Sequence, residues 1–138
     1  MADLITLARM VPQKGTAGTT YYQALTDAVD VSAYDSIDWQ ISASTDGANG
    51  VTIDIITSMQ NRVDDLAAGA VNPSWYSIGT TTLSGTAGVP GYKALSTPTS
   101  STSSPLLRYV RYQIKLNAAV TNAVFTIEGL GRRGLRVG

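Results

Sequence analysis

Apolar and polar residues alternate along three segments of the chain, strictly so in the first, which are residues 36–44, 110–116 and 123–129. In the first segment, Trp39 and Ile41 belong to an apolar series that alternates with serine, aspartate and glutamine. A period of two residues is the signature of a β-strand with one buried and one solvent-facing side. The pattern therefore predicts three strands, each of which covers a core with one face.

Turn-forming residues separate these strands from their neighbours. The segment 46–50 reads Asp-Gly-Ala-Asn-Gly, and glycine and asparagine tolerate the positive φ angles that tight turns need. It is followed by a second β-like run at 51–57, so we predict a hairpin over 37–57. Residues 117–122 join the last two alternating segments in the same way and predict a second hairpin.

The rest of the chain offers weaker signals. An extended segment at 2–12 ends at Pro12, residues 58–72 are compatible with a short helix or a loop, and the Ser/Thr/Pro-rich stretch 96–105 predicts an exposed loop. Short segments of high β-propensity fill the remaining positions. These are 19–25, 75–78, 80–83 and 91–95.

Seven or eight short strands at regular spacing, without a convincing long helix, predict an all-β fold. An antiparallel β-sandwich of about eight strands, jelly-roll-like in topology, suits this number of strands, and a closed barrel is the alternative. We expect residues 1–138 to form one domain. Within it, residues 1–18 are expected to be an extended N-terminal arm and linker, and residues 131–138 a flexible basic tail.

The composition removes most groups that perform chemistry at neutral pH. The chain has no histidine, no cysteine and a single glutamate, Glu128. No Ser-His-Asp triad, Cys-His pair or histidine-based zinc site can therefore be written. Neither a Gly-x-Ser-x-Gly elbow nor a phosphate-binding loop is present, and the acidic pair Asp64-Asp65 is read as a solvated loop. We expect no enzyme activity, no catalytic or metal-binding residues and no cofactor.

Charge is sparse, at 14% of residues, and unevenly distributed along a chain of zero net charge. Residues 1–69 carry three basic and nine acidic groups, whereas residues 70–138 carry seven basic groups and one acidic group. This asymmetry fits complementary contact between copies. The preferred interpretation is that the two halves interleave in the fold, so that the charges mix over the surface.

The aromatic residues divide into a core set and a candidate surface set. Trp39 and Tyr112 lie in the apolar phase of their strands and are expected in the core. Trp75 and Tyr76 follow a turn-like Asn-Pro-Ser sequence, so at least one of them is expected to be exposed. Exposed aromatic rings can bind sugars, which keeps a carbohydrate-binding role open.

Three arginines near the end of the sequence would bind nucleic acid only weakly, so no specific nucleic-acid partner is expected. Contact with an acidic neighbour fits these residues, Arg132, Arg133 and Arg136, at least as well. No apolar run approaches the length of a membrane span, and no secretion signal is evident at Met1. We therefore expect a protein made in the cytosol, without a membrane partner.

Four short motifs occur in order between residues 24 and 133. They are Asp30-Val31-Ser32-Ala33-Tyr34, Trp75-Tyr76-Ser77-Ile78-Gly79, Arg108-Tyr109-Val110-Arg111-Tyr112 and Phe125-Thr126-Ile127-Glu128-Gly129. In sequence and spacing they resemble small β-sandwich virion structural proteins of tailed bacteriophages and prophages. The resemblance implies a non-enzymatic component of a phage-like particle, located in the virion.

Within that class we expect a capsid decoration, or cement, protein that binds the major capsid protein or other virion proteins. A homo-oligomer is expected, with a trimer favoured. The alternatives are a head–tail connector, a tail or baseplate component and, from a different class, a carbohydrate-binding module with a glycan partner. The candidate interface residues are Leu4, Ile5, Leu7, Arg9, Trp75, Tyr76, Arg132, Arg133 and Arg136.

The segment 2–12 is the candidate arm that adds a strand to a neighbouring subunit. Leu4, Ile5 and Leu7 would be its side-chain anchors. The alternative, equally compatible with the sequence, is an ordinary edge strand of the chain's own sheet.

Overall fold

The computed structural model describes residues 2–59, 75–85, 89–97 and 105–133. These residues contain nine β-strands and a single 3₁₀ turn, Leu25–Asp27, which confirms the all-β prediction. The strands are β1 (Ala2–Lys14), β2 (Thr20–Tyr22), β3 (Val29–Asp30), β4 (Ser36–Thr45), β5 (Val51–Ser58), β6 (Tyr76–Leu83), β7 (Gly91–Thr97), β8 (Tyr109–Leu116) and β9 (Asn122–Arg132). The ambiguous segment 58–72 and the predicted loop 96–105 lie largely outside the described residues, and Arg136 lies wholly outside them.

The strands form two antiparallel sheets. The four-stranded sheet has the order β1-β9-β4-β7, and the five-stranded sheet has the order β2-β8-β5-β6, with β3 also paired to β8. If β2 and β3 count as one interrupted strand, the two orders are those of a jelly roll, in which the chain changes sheet at almost every connection. The predicted jelly-roll-like sandwich is therefore confirmed.

Both predicted hairpins are wrong. β4 and β5 belong to different sheets, as do β8 and β9, so each turn carries the chain across the sandwich. The two turns contact each other at one end: the Asn49 Nδ2 donates to the Ala118 carbonyl at 3.0 Å, and the Asn117 N–H donates to the Gly50 carbonyl at 3.2 Å. Alternation reports that a strand has one buried face, but it does not report which strand lies beside it.

The core lies between the sheets and is built from the apolar phase of the alternating strands. Trp39 and Tyr112 are both buried, as predicted, and the Tyr112 ring meets Phe125 edge-on with 5.0 Å between centroids. Gly129 makes room for Trp39, because a Cβ atom at this position would lie 2.7 Å from the indole ring. Side-chain volume in this layer is therefore fixed by close packing across strands.

β1 is an edge strand of the chain's own sheet, paired with β9 from Ala2↔Arg132 to Lys14↔Asn122. This is the alternative that the sequence left open. Ile5 and Leu7 are buried in the chain's own core, so within one chain they are not free anchors for a neighbour; only Leu4 is exposed. The reason is the period of two, which turns alternate residues toward the opposite sheet. Exchange of β1 between copies stays a prediction.

The expected segment boundaries also change at both ends. β1 continues past Pro12 to Lys14, because a missing N–H is tolerated at a sheet edge. Gly131 and Arg132, which we assigned to a flexible tail, are the last residues of β9. The first strand is therefore two residues longer than the sequence indicates, and the predicted tail overlaps β9 at residues 131 and 132.

One buried amide links the two sheets. The Gln23 Nε2 donates to the Leu7 carbonyl in β1 at 3.1 Å, and the Gln23 Oε1 accepts from the Tyr112 N–H in β8 at 3.1 Å. Buried backbone groups need such partners, since an unsatisfied one costs about 1–3 kcal/mol. Gln23 thereby joins the two sheets on the side where β1 and β2 are the edge strands.

The ion pairs confirm that the two halves of the sequence interleave. Arg108 pairs with Asp30 at 3.3 Å, Arg132 with Asp38 at 2.7 Å and Arg133 with Asp3 at 3.6 Å. In each case a base from the second half meets an acid from the first. The separation of charge along the sequence is therefore removed by folding.

Candidate interaction surface

Of the seven large apolar side chains exposed among the described residues, four lie on the solvent side of the four-stranded sheet, here called the outer face. It carries Leu4, Met10, Tyr92 and Leu130, contributed by β1, β7 and β9. Tyr76, which is also exposed, lies on β6 of the other sheet. An apolar group of this kind on a folded protein commonly marks a contact surface.

At one end of the outer face, Leu4 and Leu130 are direct partners in the pairing of β1 with β9. Asp38 is the next residue across, on β4. It accepts hydrogen bonds from Arg132 at 2.7 Å and from Ser96 at 2.8 Å, and these bonds hold the pKa of Asp38 below its usual value. This end therefore presents an apolar pair beside a compensated charge.

At the other end, Met10 occupies an irregular stretch of β1. The pairing with β9 shifts on both sides of Ala8, and Met10 has a φ of +50°, in the left-handed region that non-glycine residues rarely adopt. The Met10 N–H donates to the Thr126 Oγ1 at 3.0 Å, and 70% of the residue is exposed. A large apolar side chain is thus held out to solvent in a strained backbone conformation.

Met10 and Tyr92 line a shallow hollow of about 130 Å³. Its lining includes small polar residues of the central strands, Ser42, Ser44 and Thr126. A second hollow of about 130 Å³ adjoins it and shares two of these residues. Two apolar side chains from opposite edge strands therefore flank a polar strip.

Two ion pairs lie on this face. Arg9 lies 3.5 Å from Glu128, which lines the second hollow, and Arg132 is held by Asp38. Such exposed pairs add little to stability. Their effect is that a partner approaching the outer face meets mostly apolar and hydroxyl groups.

The predicted interface residues do not form one surface. Leu4 lies on the outer face, and the charged groups of Arg9 and Arg132 are paired there, whereas Arg133 lies at the end of β9 against Asp3. Ile5 and Leu7 are core residues, and Arg136 lies outside the described residues. Trp75 and Tyr76 belong to the other side of the sandwich.

Trp75 is only 7% exposed and Tyr76 is 53% exposed, so the prediction that at least one is exposed is confirmed. Trp75 is buried within its own chain, where its ring covers the Arg111 guanidinium at 4.5 Å, so it offers little surface to a neighbour. The Tyr22 ring lies 5.5 Å from the same guanidinium, which donates to the Gln23 carbonyl at 3.0 Å. Burial lowers the pKa of Arg111, and the cation–π contacts offset part of the desolvation cost.

Sequence reasoning missed three residues of the outer face: Met10, Tyr92 and Leu130. Leu130 carried a usable signal, because it falls in the polar phase of the β9 alternation. Met10 carried no signal in the sequence. It is turned outward by the irregular pairing of β1 with β9, which local sequence does not specify. Tyr92 is placed by the pairing of β7 with β4, where it lies opposite Ser42.

The first motif of the resemblance has a structural role. Asp30 accepts from the Ser32 N–H at 2.9 Å and from Arg108 at 3.3 Å, and hydrogen bonds from Ser32, followed by the Arg108 interaction, lower the pKa of Asp30. The Tyr34 hydroxyl donates to Asp3 at 2.9 Å. The motif therefore closes the corner between β3 and β4 and ties it to the start of β1.

Within the described ranges, no group of three or more acidic, cysteine or histidine side chains is arranged to hold a metal ion. Among the same residues, no helix has the length and apolar character needed to cross a membrane. No family model matches the chain, and no curated protein matches its sequence.

Proposed function

We propose that this protein is a non-enzymatic structural protein of a phage-like virion, and that it decorates the capsid as a cement protein. The observation that carries the proposal is the outer face, where exposed apolar side chains from three strands lie on one sheet and one of them, Met10, has a positive φ. The jelly-roll fold and the motifs that resemble tailed-phage virion proteins support the same role.

The proposed mechanism is burial of the outer face against the major capsid protein. Leu4, Met10, Tyr92 and Leu130 would enter the contact, and each large apolar side chain contributes about 1.5–3 kcal/mol when fully buried. A protein that binds only the assembled shell stabilises that shell by mass action. The contact would be repeated over the particle, so the stabilising free energy of each copy would add up across many capsomer junctions.

The backbone of Met10 supports a contact role more specifically. A non-glycine residue at positive φ costs about 1–3 kcal/mol, and glycine would avoid that cost. The side chain gains little in the isolated chain, because most of it faces solvent. A partner surface would give the strained and exposed position a compensating contact.

A trimer at the local three-fold positions of a capsid suits this role, and the protein would then be found in the virion after synthesis in the host cytoplasm. The head–tail connector and the tail or baseplate component use the same kind of contact in other places. Copy number separates them, on the order of hundreds per particle for decoration and about a dozen for a connector.

The carbohydrate-binding alternative has less support from the geometry. A sugar platform needs exposed aromatic rings on one surface. Tyr92 and Tyr76 are exposed on different sheets, and Trp75 is buried. These three residues therefore do not form a shared platform.

The test measures binding of the purified protein to a panel of empty tailed-phage capsids. Bound protein is recovered with the capsids by co-sedimentation, and the number of copies per particle is quantified. Tyr92→Ala and Tyr76→Ala form a matched pair, since each removes an exposed tyrosine from a different sheet. We expect Tyr92→Ala to weaken capsid binding at least tenfold, about 1.4 kcal/mol, and Tyr76→Ala to leave it unchanged.

Equal binding by the two variants would reject the outer face as the contact. Failure to bind any capsid in the panel would reject decoration. Rings of the isolated protein would then favour the connector, and retention on immobilised glycans would favour the carbohydrate-binding module.

A further inference from the structure

Two buried N–H groups beside the five-stranded sheet have no hydrogen-bond acceptor among the described residues. They are the Nε–H of Arg111, on β8, and the Nε1–H of Trp75, which directly precedes β6. Arg111 is 1% exposed and Trp75 is 7% exposed. Because buried donors in folded proteins are almost always paired, these two donors point to an acceptor that the described residues do not supply.

The two side chains are in direct contact. The central carbon of the Arg111 guanidinium lies 4.5 Å from the centre of the Trp75 ring and 5.5 Å from the centre of the Tyr22 ring. The Arg111 Nη1 donates to the Gln23 carbonyl at 3.0 Å, so one side of the guanidinium is already held by the backbone. The Nε–H of Arg111 and the indole N–H of its neighbour remain for a ligand.

Arg111 also lacks an opposite charge among the described residues. The ion pairs formed by these residues hold Arg9, Arg108, Arg132 and Arg133, whose side chains are all more than half exposed. A guanidinium keeps its proton even when it is buried, and burial of a charge without a counter-ion is strongly unfavourable. Burial lowers the pKa of Arg111, which is the direction expected for an uncompensated cation. A bound anion would supply the missing charge.

The surroundings restrict the kind of anion. Leu25 and Ile56, both buried, belong to the same cluster as Trp75. A monoanion neutralises the single positive charge of Arg111, whereas a doubly charged phosphate would leave a surplus negative charge among apolar groups. A carboxylate has one oxygen for each of the two donors, and its hydrogen bonds with a guanidinium are charge-assisted and strong.

We propose that Arg111 and Trp75 form a binding site for a small monocarboxylate, which accepts hydrogen bonds from the Arg111 Nε and the Trp75 Nε1. Trp75 keeps a small exposed fraction, so the site lies directly beneath the surface of the five-stranded sheet. This inference does not rest on the proposed capsid role, which concerns the outer face of the other sheet.

The first test uses the unchanged protein. The chain contains two tryptophans, so its indole N–H groups give two signals in a proton–nitrogen correlation spectrum, and Trp75→Phe identifies the signal of Trp75. Sodium formate is the probe, added up to about 100 mM at constant ionic strength. We expect the Trp75 signal to shift with saturation and the signal of buried Trp39 to stay in place. A stationary Trp75 signal, or parallel unsaturated shifts of both signals, would overturn the proposal.

A second test compares two arginine variants by thermal unfolding. Arg111→Met removes the buried charge and keeps a long apolar side chain, whereas Arg108→Met removes an exposed arginine nearby in sequence. Relative to sodium chloride of equal ionic strength, formate should raise the Tm of the unchanged protein and of Arg108→Met by about 3 °C or more, and that of Arg111→Met by none. Equal gains in all three proteins, or no gain in the unchanged protein, would contradict a carboxylate site at Arg111.

A third variant covers the case in which Arg111→Met folds poorly. Trp75→Phe keeps an aromatic ring at the position that covers Arg111 but removes the indole N–H. The formate concentration that gives half of the Tm increase should rise at least about fivefold in this variant, because one of the two donors is lost. An unchanged concentration would show that the Trp75 N–H does not bind the anion.

Discussion

The two sheets differ in whether the large side chains on their solvent sides are exposed or covered. On the four-stranded sheet, Met10 and Tyr92 stand exposed beside a strip of small polar residues. On the five-stranded sheet, Ile56 and Arg111 point away from the main core but are covered by Trp75, with Leu25 in the same cluster. The first face is left open, whereas on the second the chain itself covers the part around Arg111. Apolar residues outside the main core are therefore exposed on one sheet, where we propose that they bind a partner, and buried on the other, where they add to stability.

The largest expected effect comes from uncovering the closed face. Trp75→Ala should destabilise the protein by about 3–5 kcal/mol, because it removes a buried aromatic ring and exposes the Arg111 guanidinium that the ring covers. Urea denaturation measures the change. Tyr76→Ala is the neighbouring control and should cost no more than about 0.5 kcal/mol, since its ring is exposed. Similar losses for both variants would show that Trp75 does not close this face.

On the open face, Met10→Gly should stabilise the isolated protein by about 1 kcal/mol, because glycine adopts a φ of +50° without strain. The same change should weaken capsid binding, which would separate the two roles of the residue. Thr6→Gly is the control on the same strand and should destabilise by about 0.5–1 kcal/mol, since its conformation is regular. Thermal unfolding and co-sedimentation together measure the pair; a Met10→Gly variant that loses stability would remove the argument from strain.

The smallest expected effect is on the pH dependence of stability. Asp38, on the open face, and Asp54, on the other sheet, should contribute to it with opposite sign. Hydrogen bonds from Arg132 and Ser96 lower the pKa of Asp38 on the open face, so its contribution is present above the unfolded value of 3.8 and is lost as pH falls through the folded pKa. Burial raises the pKa of Asp54 on the other sheet, against hydrogen bonds from Ser77 and Gln113, so protonation favours its folded form.

Asp38→Asn should therefore destabilise the protein at pH 7 and have less effect at pH 3. Asp54→Asn should leave the free energy of unfolding at pH 7 unchanged or raise it. The reason is that the folded state favours protonated Asp54, and this stabilisation is lost as pH rises through the raised pKa. Urea denaturation at several pH values between 3 and 7 measures both variants. The same pH trend in both would contradict the assignment of one paired and one desolvated carboxylate.

Local sequence patterns were sufficient to predict the strands, but they were insufficient to predict which strands pair. The alternation at 36–44, 110–116 and 123–129 predicted β4, β8 and β9, because side-chain direction in a strand follows from backbone geometry alone. The turn at 46–50 was also recognisable, but its role as a crossing between sheets was not. β4 pairs with β7 and β9, its partners in β9 lie between 78 residues (Thr45↔Ala123) and 96 residues (Ser36↔Arg132) away in sequence, and no local signal specifies these pairings.

The candidate site was predictable only in part, for the same reason. Leu4 was identified, and Leu130 was detectable from its phase in β9, whereas Met10 depends on the register against β9 and Tyr92 on the pairing of β7 with β4. Trp75 was misassigned because its neighbours in sequence resemble a turn. Its burial comes from the cluster that it forms with Leu25 and Ile56 and from Arg111, which the fold brings under the ring.

The sequence by itself determined that the chain forms short strands with one apolar face, that it lacks histidine and cysteine chemistry, and that its two halves carry opposite charge. These properties are local or additive, so they can be read without knowing which residues meet. Only the tertiary structure decided that the charges neutralise each other, that β1 completes its own sheet and that one face remains open. Those outcomes depend on contacts between distant residues, which form when two sheets bury their apolar faces against each other.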